Sequence, residues 1–127
     1  YQNAKGDLLT NKYVSQFGDI PLIRLAEMIL IRAECNQRLN TALGASPIDD
    51  INSIRARSSA VALTTLTLGD IIKERQRELA FEGFAIYDIK RTKSSVASLP
   101  FDSPKLVMPI PQSEMNTNKL MEQNDGY

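Results

Sequence analysis

The stretch Thr67–Arg91, TLGDIIKERQRELAFEGFAIYDIKR, restricts the fold more than any other part of the chain. Thr67 can cap a helix, with Asp70 three residues on to complete a capping-box-like arrangement, and Leu68, Ile71, Ile72 and Leu79 supply a core face. Gly83 fits the left-handed position that ends a helix, and Phe84, Ile86, Tyr87 and Ile89 form an aromatic-rich turn before Lys90 and Arg91. The expectation is a helix that bends at Gly83 and resumes. Glu74, Glu78 and Glu82 recur every four residues on another face, with Arg75 and Arg77 interleaved. On that spacing two carboxylates could act as the acid and base of a hydrolase. The preferred reading is a lattice of salt bridges along the helix or to Arg24, Arg32 or Arg55 on neighbouring helices, because paired charges are mostly structural.

The run LIRLAEMILIRAECNQRLN, led by Pro21 and ending at Asn40, has no internal breaker and predicts a long helix with Pro21 in its first turn. Its apolar residues Leu22, Ile23, Leu25, Ala26, Met28, Ile29, Leu30, Ile31 and Ala33 exceed a single stripe, so the helix should lie between neighbours. Arg24, Glu27, Glu34 and Arg38 share the remaining face, Glu34 and Arg38 at the favourable i,i+4 spacing. After Gly44, Ser46 is an N-cap, Pro47 takes the first helical position and Asp49 the third. Ile48, Ile51 and Ile54 then make a narrow stripe through Arg57, so residues 21–57 should form a helical hairpin. Ser58–Thr65 reads as a connecting loop. Residues 1–19 read as an irregular or briefly extended lead-in, and 92–127 as an irregular tail. In that tail Phe101 pins the loop 94–104, Leu106–Met108 is extended, and Gln112–Met115 makes a turn of helix.

Composition removes most chemistry. The chain has 127 residues, enough for one domain with a core. Its 15 basic and 15 acidic residues cancel, which leaves no electrostatic footprint for nucleic acid or an anionic membrane. There is no histidine, and the single Cys35 can form neither an intrachain disulfide nor a thiolate cluster. No catalytic, metal-binding or cofactor residue is therefore assigned, and no ligand-binding residue either. Cys35, in mid-helix, reads as a small buried apolar side chain. The chain starts at Tyr1 rather than Met and shows no leader, so it is expected to be processed or cut from something longer.

Four ordered segments carry a family resemblance. They are Arg24-Leu25-Ala26-Glu27 with Ala33-Glu34, then Ile51-Asn52-Ser53-Ile54-Arg55-Ala56-Arg57, then Glu74-Arg75-Gln76-Arg77-Glu78-Leu79-Ala80-Phe81-Glu82-Gly83 with Tyr87-Asp88-Ile89-Lys90-Arg91. The last is Met108-Pro109-Ile110-Pro111-Gln112-Ser113-Glu114 with Gln123-Asn124 and Gly126-Tyr127. In this order they resemble the C-terminal region of the SusD/RagB family, outer-membrane glycan-binding lipoproteins of Bacteroidetes. Ala85 and Ile86 stand where the family usually has arginine and tryptophan, Lys119 and Asp125 where it often has proline.

The resemblance implies an all-α, tetratricopeptide-like helical hairpin with further helices and an irregular C-terminal wrap. It also implies a non-enzymatic role: capture of oligosaccharide at the cell surface for a SusC-like, TonB-dependent transporter. Complete members are several times longer, and the part absent here would hold the lipid anchor, most helical repeats and most glycan-contacting residues. Sugar binding uses exposed aromatic faces beside planar polar groups, and there is no tryptophan. Tyr13, Tyr87, Phe101 and Tyr127 are accordingly read as packing residues, and Lys90 and Arg91 as a solvated helix end. The alternative function is a helical-repeat scaffold that binds proteins and no sugar.

Overall fold

A computed structural model of the chain describes residues 5, 6, 10, 12, 13, 15 and 17–127. Most of the expected lead-in, including Leu8, Leu9 and Val14, lies outside the described residues. The elements in order are α1 (Leu25–Leu39), α2 (Pro47–Arg57), α3 (Leu68–Glu78), α4 (Ala85–Thr92), a 3₁₀ turn (Pro104–Leu106) and α5 (Gln112–Thr117). Among the described residues there is no strand, only an isolated bridge between Val96 and Leu99.

The first helix starts later than Pro21. Arg24 is its N-cap, in extended backbone (φ −122°, ψ 146°), and Leu22 and Ile23 before it are exposed. The physical cause lies outside the helix. The Arg24 guanidinium donates to both Glu82 carboxylate oxygens and to the Glu78 carbonyl, and this holds the residue in an extended conformation. At the other end Asn40 adopts the left-handed conformation, and the buried Asn36 organises the following loop. Its amide donates to the carbonyls of Leu43 and Ala45, and its oxygen accepts from Thr41 Oγ1 and Leu43 N–H. Gly44 is at φ +80°, and a Cβ there would stand 2.9 Å from the Arg32 guanidinium.

The second helix begins as its sequence dictates. Ser46 Oγ accepts from Asp49 N–H at 3.2 Å, with Pro47 at the first turn. It runs back along α1: Asp50 near its start binds Arg32 in mid-α1, while Arg57 at its end meets Glu78 beside Arg24. Leu30 and Ala33 of α1, Ile51 and Ile54 of α2, and Ile71 and Leu79 from α3 and its C-cap form one buried cluster, with Ile29, Leu63, Leu66 and Phe84 packed around it. Each fully buried leucine or isoleucine there contributes roughly 1.5–3 kcal/mol. The connecting loop is tied to α2 by Asn52, whose side chain exchanges two hydrogen bonds with the Leu63 backbone.

The capping box of α3 is complete. Thr67 Oγ1 accepts from Asp70 N–H at 3.2 Å, and Asp70 Oδ2 accepts from Thr67 N–H at 3.0 Å. The expected bend at Gly83 is instead a full break. Regular α3 ends at Glu78 with Leu79 as C-cap, so Gly83, although at φ +80°, is not its cap. Donors from far away in sequence take the released carbonyls. Lys12 Nζ binds the carbonyls of Glu78 and Ala80, each at 2.8 Å, and Tyr13 Oη donates to Phe81 O at 2.9 Å.

Two other expectations change. Among the described residues one apolar face of α1 is covered and the other is not: Ala26, Leu30 and Ala33 are buried, whereas Leu25, Met28 and Ile31 are exposed. Cys35 is exposed too, because it sits about 200° around the helix from Ala33 and so points away from α2 and α3. In the tail Leu106 closes the 3₁₀ turn that Pro104 opens, rather than being extended, while Val107 after it has extended dihedrals. The turn of helix after Pro111 is present as α5, and Phe101 is half-buried.

Candidate functional site

The charged residues singled out from sequence converge, but as a clasp rather than as reacting groups. Around the end of α3, Glu82 accepts from Lys12 at 2.6 Å and from Arg24 at 2.7 Å, while Glu78 lies 3.0 Å from Arg24 and also binds Arg57. One helical turn earlier, Glu74 binds Arg55 of α2 at 2.7 Å and Arg77 at 3.4 Å. On the other side of α1, Glu34 receives both terminal nitrogens of Arg91 at 2.6 and 2.8 Å, and Arg38 as well. Asp88 in turn binds Arg91 at 2.7 Å and the buried Arg75 at 2.9 Å. Arg75 also lies 5.4 Å from the centre of the Phe84 ring, within cation–π reach.

The salt-bridge reading of Glu74, Glu78 and Glu82 is thus what the structure contains. Of the three arginines expected to meet them, Arg24 and Arg55 do; Arg32 pairs with Asp50 instead, at 2.6 Å. The group Arg24, Glu27, Glu34 and Arg38 is split: Arg24 faces α3, Glu27 lies 4.0 Å from Arg75, and only Glu34 and Arg38 bind one another. Arg91 is no solvated helix end but a link between α4 and α1. Its partner Asp88 was legible from the i,i+3 spacing. The part played by Lys12 has no local signal, since its contacts are some seventy residues away.

Electrostatics follow this geometry. Hydrogen bonds from Arg91, then from Arg38, outweigh burial and hold the Glu34 carboxyl below its ordinary value. Burial alone would raise Glu82, but the hydrogen bonds from Lys12 and Arg24 together hold it below as well. The Arg91 guanidinium is raised, first by its bonds to Glu34. A glycosidase general acid needs the opposite, a carboxyl kept protonated near neutral pH.

Cavities next to the clasp are small or walled by its paired charges; one of about 300 Å³ is lined by Glu34, Arg38, Arg75 and Arg91 themselves. The one at Lys12, Tyr13, Pro21, Arg24 and Glu82 holds about 100 Å³, against roughly 300 Å³ and upwards for ordinary small-molecule sites. A space of about 380 Å³ beside Glu74 and Glu78 is walled by Arg55 and Arg77, the cations that neutralise them. Among the described residues no group of three His, Cys, Asp or Glu side chains could hold a metal ion, and no helix is long and apolar enough to cross a membrane.

Of the aromatics read as packing residues, Phe101 is half-buried and the three tyrosines lie at the surface. Tyr87 is 70% exposed and Tyr127 57%, with Tyr13 also at the surface. Tyr13 and Tyr127 serve as fasteners, donating their hydroxyls to Phe81 O and Val107 O.

An antiparallel helix pair, a third helix closing its core, and a belt of inter-helix ion pairs define a tetratricopeptide-like helical scaffold. The SusD family model matches residues 7–99, and the chain belongs to the SusD family. It is 34% identical to Starch-binding protein SusD of Bacteroides thetaiotaomicron, an alignment covering 86% of this chain and 22% of that protein. It superposes on a SusD superfamily protein from Bacteroides vulgatus with a TM-score of 0.61 at 28% identity, covering 84% of this chain and 27% of the other. Surface glycan-binding protein A from Bacteroides uniformis shares the fold, with a TM-score of 0.61 at 23% identity over 81% of this chain and 27% of its own. The chain therefore spans about a quarter of the length of these relatives.

Proposed function

We propose that this chain is the C-terminal scaffold part of a non-enzymatic, surface-exposed glycan-binding lipoprotein of the outer membrane. In this reading the parent protein hands oligosaccharide to a SusC-like, TonB-dependent transporter. Membership of the SusD family carries the proposal, since relatives include a starch-binding and a surface glycan-binding protein. Two features of the chain support a scaffold role. Glu34 and Glu82 are held ionised by paired cations, which suits a clasp and disfavours acid catalysis. The exposed apolar face of α1, with Leu25, Met28 and Ile31, suits further helices of a longer polypeptide stacking against it. The same face also favours the second reading, a helical scaffold whose partner is a protein.

Calorimetric titration of the full-length protein against host and dietary glycans separates the two. Saturable binding of a glycan is expected; absence of glycan binding together with capture of a defined protein partner selects the second reading. The upstream reading frame should encode a lipoprotein signal ending in cysteine, and a cytoplasmic amino terminus there excludes the surface assignment. Replacement of Glu78 by Gln should leave no glycan-cleaving activity to lose.

A further inference from the structure

One groove among the described residues has cations and no carboxylate in its lining. It lies between the opening half of α3 and the end of α4, holds about 560 Å³, and is lined by Lys73, Lys93, Arg38 and Arg91 with no Asp or Glu. Arg38 and Arg91 are engaged with Glu34, but the exposed Lys73 and Lys93 form no ion pair among the described residues. Glu34 is committed to its two arginines, and Asp70, three residues before Lys73 and acting on it through space, hydrogen-bonds within the capping box of Thr67. Between the cations, half-buried Leu68 and Ile72 contribute an apolar floor, and Gln76 an amide with no internal partner among the described residues.

The chain as a whole is neutral, so this local excess needs a cause. The clasp supplies one. Glu34, Asp50, Glu74 and Asp88 are all drawn into the inter-helix belt and buried there, and Lys73 and Lys93 stay at the surface without an ion pair among the described residues. A concave site with one sign of charge concentrates ligands of the other.

We infer that this groove binds the anionic groups of an acidic saccharide, a sugar chain bearing carboxylates or sulfates. The apolar floor suits the C–H face of a pyranose ring, while Lys73 and Lys93 meet its charges and Gln76 its hydroxyls; the volume is that of an ordinary small-ligand site. The assignment rests on the glycan-binding reading above and adds to it a ligand class and a location.

The test titrates the full-length protein with an oligogalacturonate, with a sulfated chondroitin oligosaccharide, with neutral malto-oligosaccharides and with a poly-glutamate peptide. At least one acidic saccharide should bind, weaken with added salt, and lose about tenfold or more in affinity in the double variant K73E/K93E. K73Q/K93Q, which removes charge without reversing it, should show a smaller loss in the same direction, and both variants should keep the wild-type circular dichroism and melting midpoint. If K73E/K93E misfolds, the loss in K73Q/K93Q alone decides. Acidic saccharides that bind wild type and variants equally, or bind neither, overturn the groove assignment. Poly-glutamate binding that depends on the two lysines while no acidic saccharide binds overturns it too, in favour of an acidic protein surface. Neutral glycans that bind while acidic ones do not remove only the groove; failure of every glycan removes the glycan-binding reading as well.

Discussion

The helical part up to Thr92 and the tail from Lys93 to Tyr127 are held by different forces. In the first, Leu30, Ile51 and Ile71 are fully buried, and ion pairs join α1, α2, α3 and α4. In the second no residue is buried. The tail is knitted by polar side chains reaching its own backbone. Gln123 both accepts from and donates to Ile110, at 2.8 and 2.9 Å, Asn124 donates to Met108 O at 2.7 Å, and Tyr127 to Val107 O at 2.8 Å. Apolar burial excludes water and is cooperative, whereas polar bonds that are exposed or only partly buried exchange with solvent for a small net gain. Damage to the first part should therefore move the global transition, and damage to the second should stay local.

The largest break is expected from Ile71→Ala, which opens a cavity where three helices meet and should cost about 2–5 kcal/mol in denaturant titration. An unmoved midpoint would mean that α3 is not part of the cooperative core. Next comes the ionic belt, through pH. The folded-state values of Glu34 and Glu82 lie below their ordinary 4.5, so their stabilisation is complete above that value and is lost as pH falls through the lower folded-state values. Wild type should lose stability on acidification below about 4.5, and the double variant E34Q/E82Q, weaker at neutral pH, should show a flatter acid limb. Parallel acid limbs would assign the loss to other groups.

Gly83→Val should lower stability by about 1 kcal/mol or more. Open space surrounds the site, so the cost comes from φ +80° alone and not from a clash. Removing the helix cap with Thr67→Ala should cost about 1 kcal/mol. The smallest global effect belongs to Gln123→Ala, which should leave the melting midpoint unchanged while amide exchange accelerates at Ile110. A shifted midpoint there would join the tail to the core and dissolve the contrast between the two regions.

Legibility from sequence divides along a similar line. Ser46-Pro47 and Thr67–Asp70 announced α2 and α3 correctly, because a cap is a bond between residues three apart and needs no partner from elsewhere. The core stripe Ile51, Ile54, Ile71 and Leu79 was equally visible, and the family motifs pointed to the helical scaffold. The groove at Lys73 and Lys93 was not, since its emptiness of acid depends on where Glu34 and Asp70 are spent.

By itself the sequence determined the helical class, the starts of α2 and α3, and that carboxylates of the α3 stretch would be paired with arginines. Tertiary structure alone decided which arginine meets which carboxylate, that α1 starts at Leu25, that α3 stops at Glu78, and that Cys35 faces outward. The reason is distance along the chain. Capping and periodicity act within one or two helical turns, whereas Arg24 crosses 58 residues to reach Glu82, and Lys12 crosses 68 to take the Ala80 carbonyl. Such bonds exist only after the helices have packed, and they then override what the local sequence prefers at the helix ends.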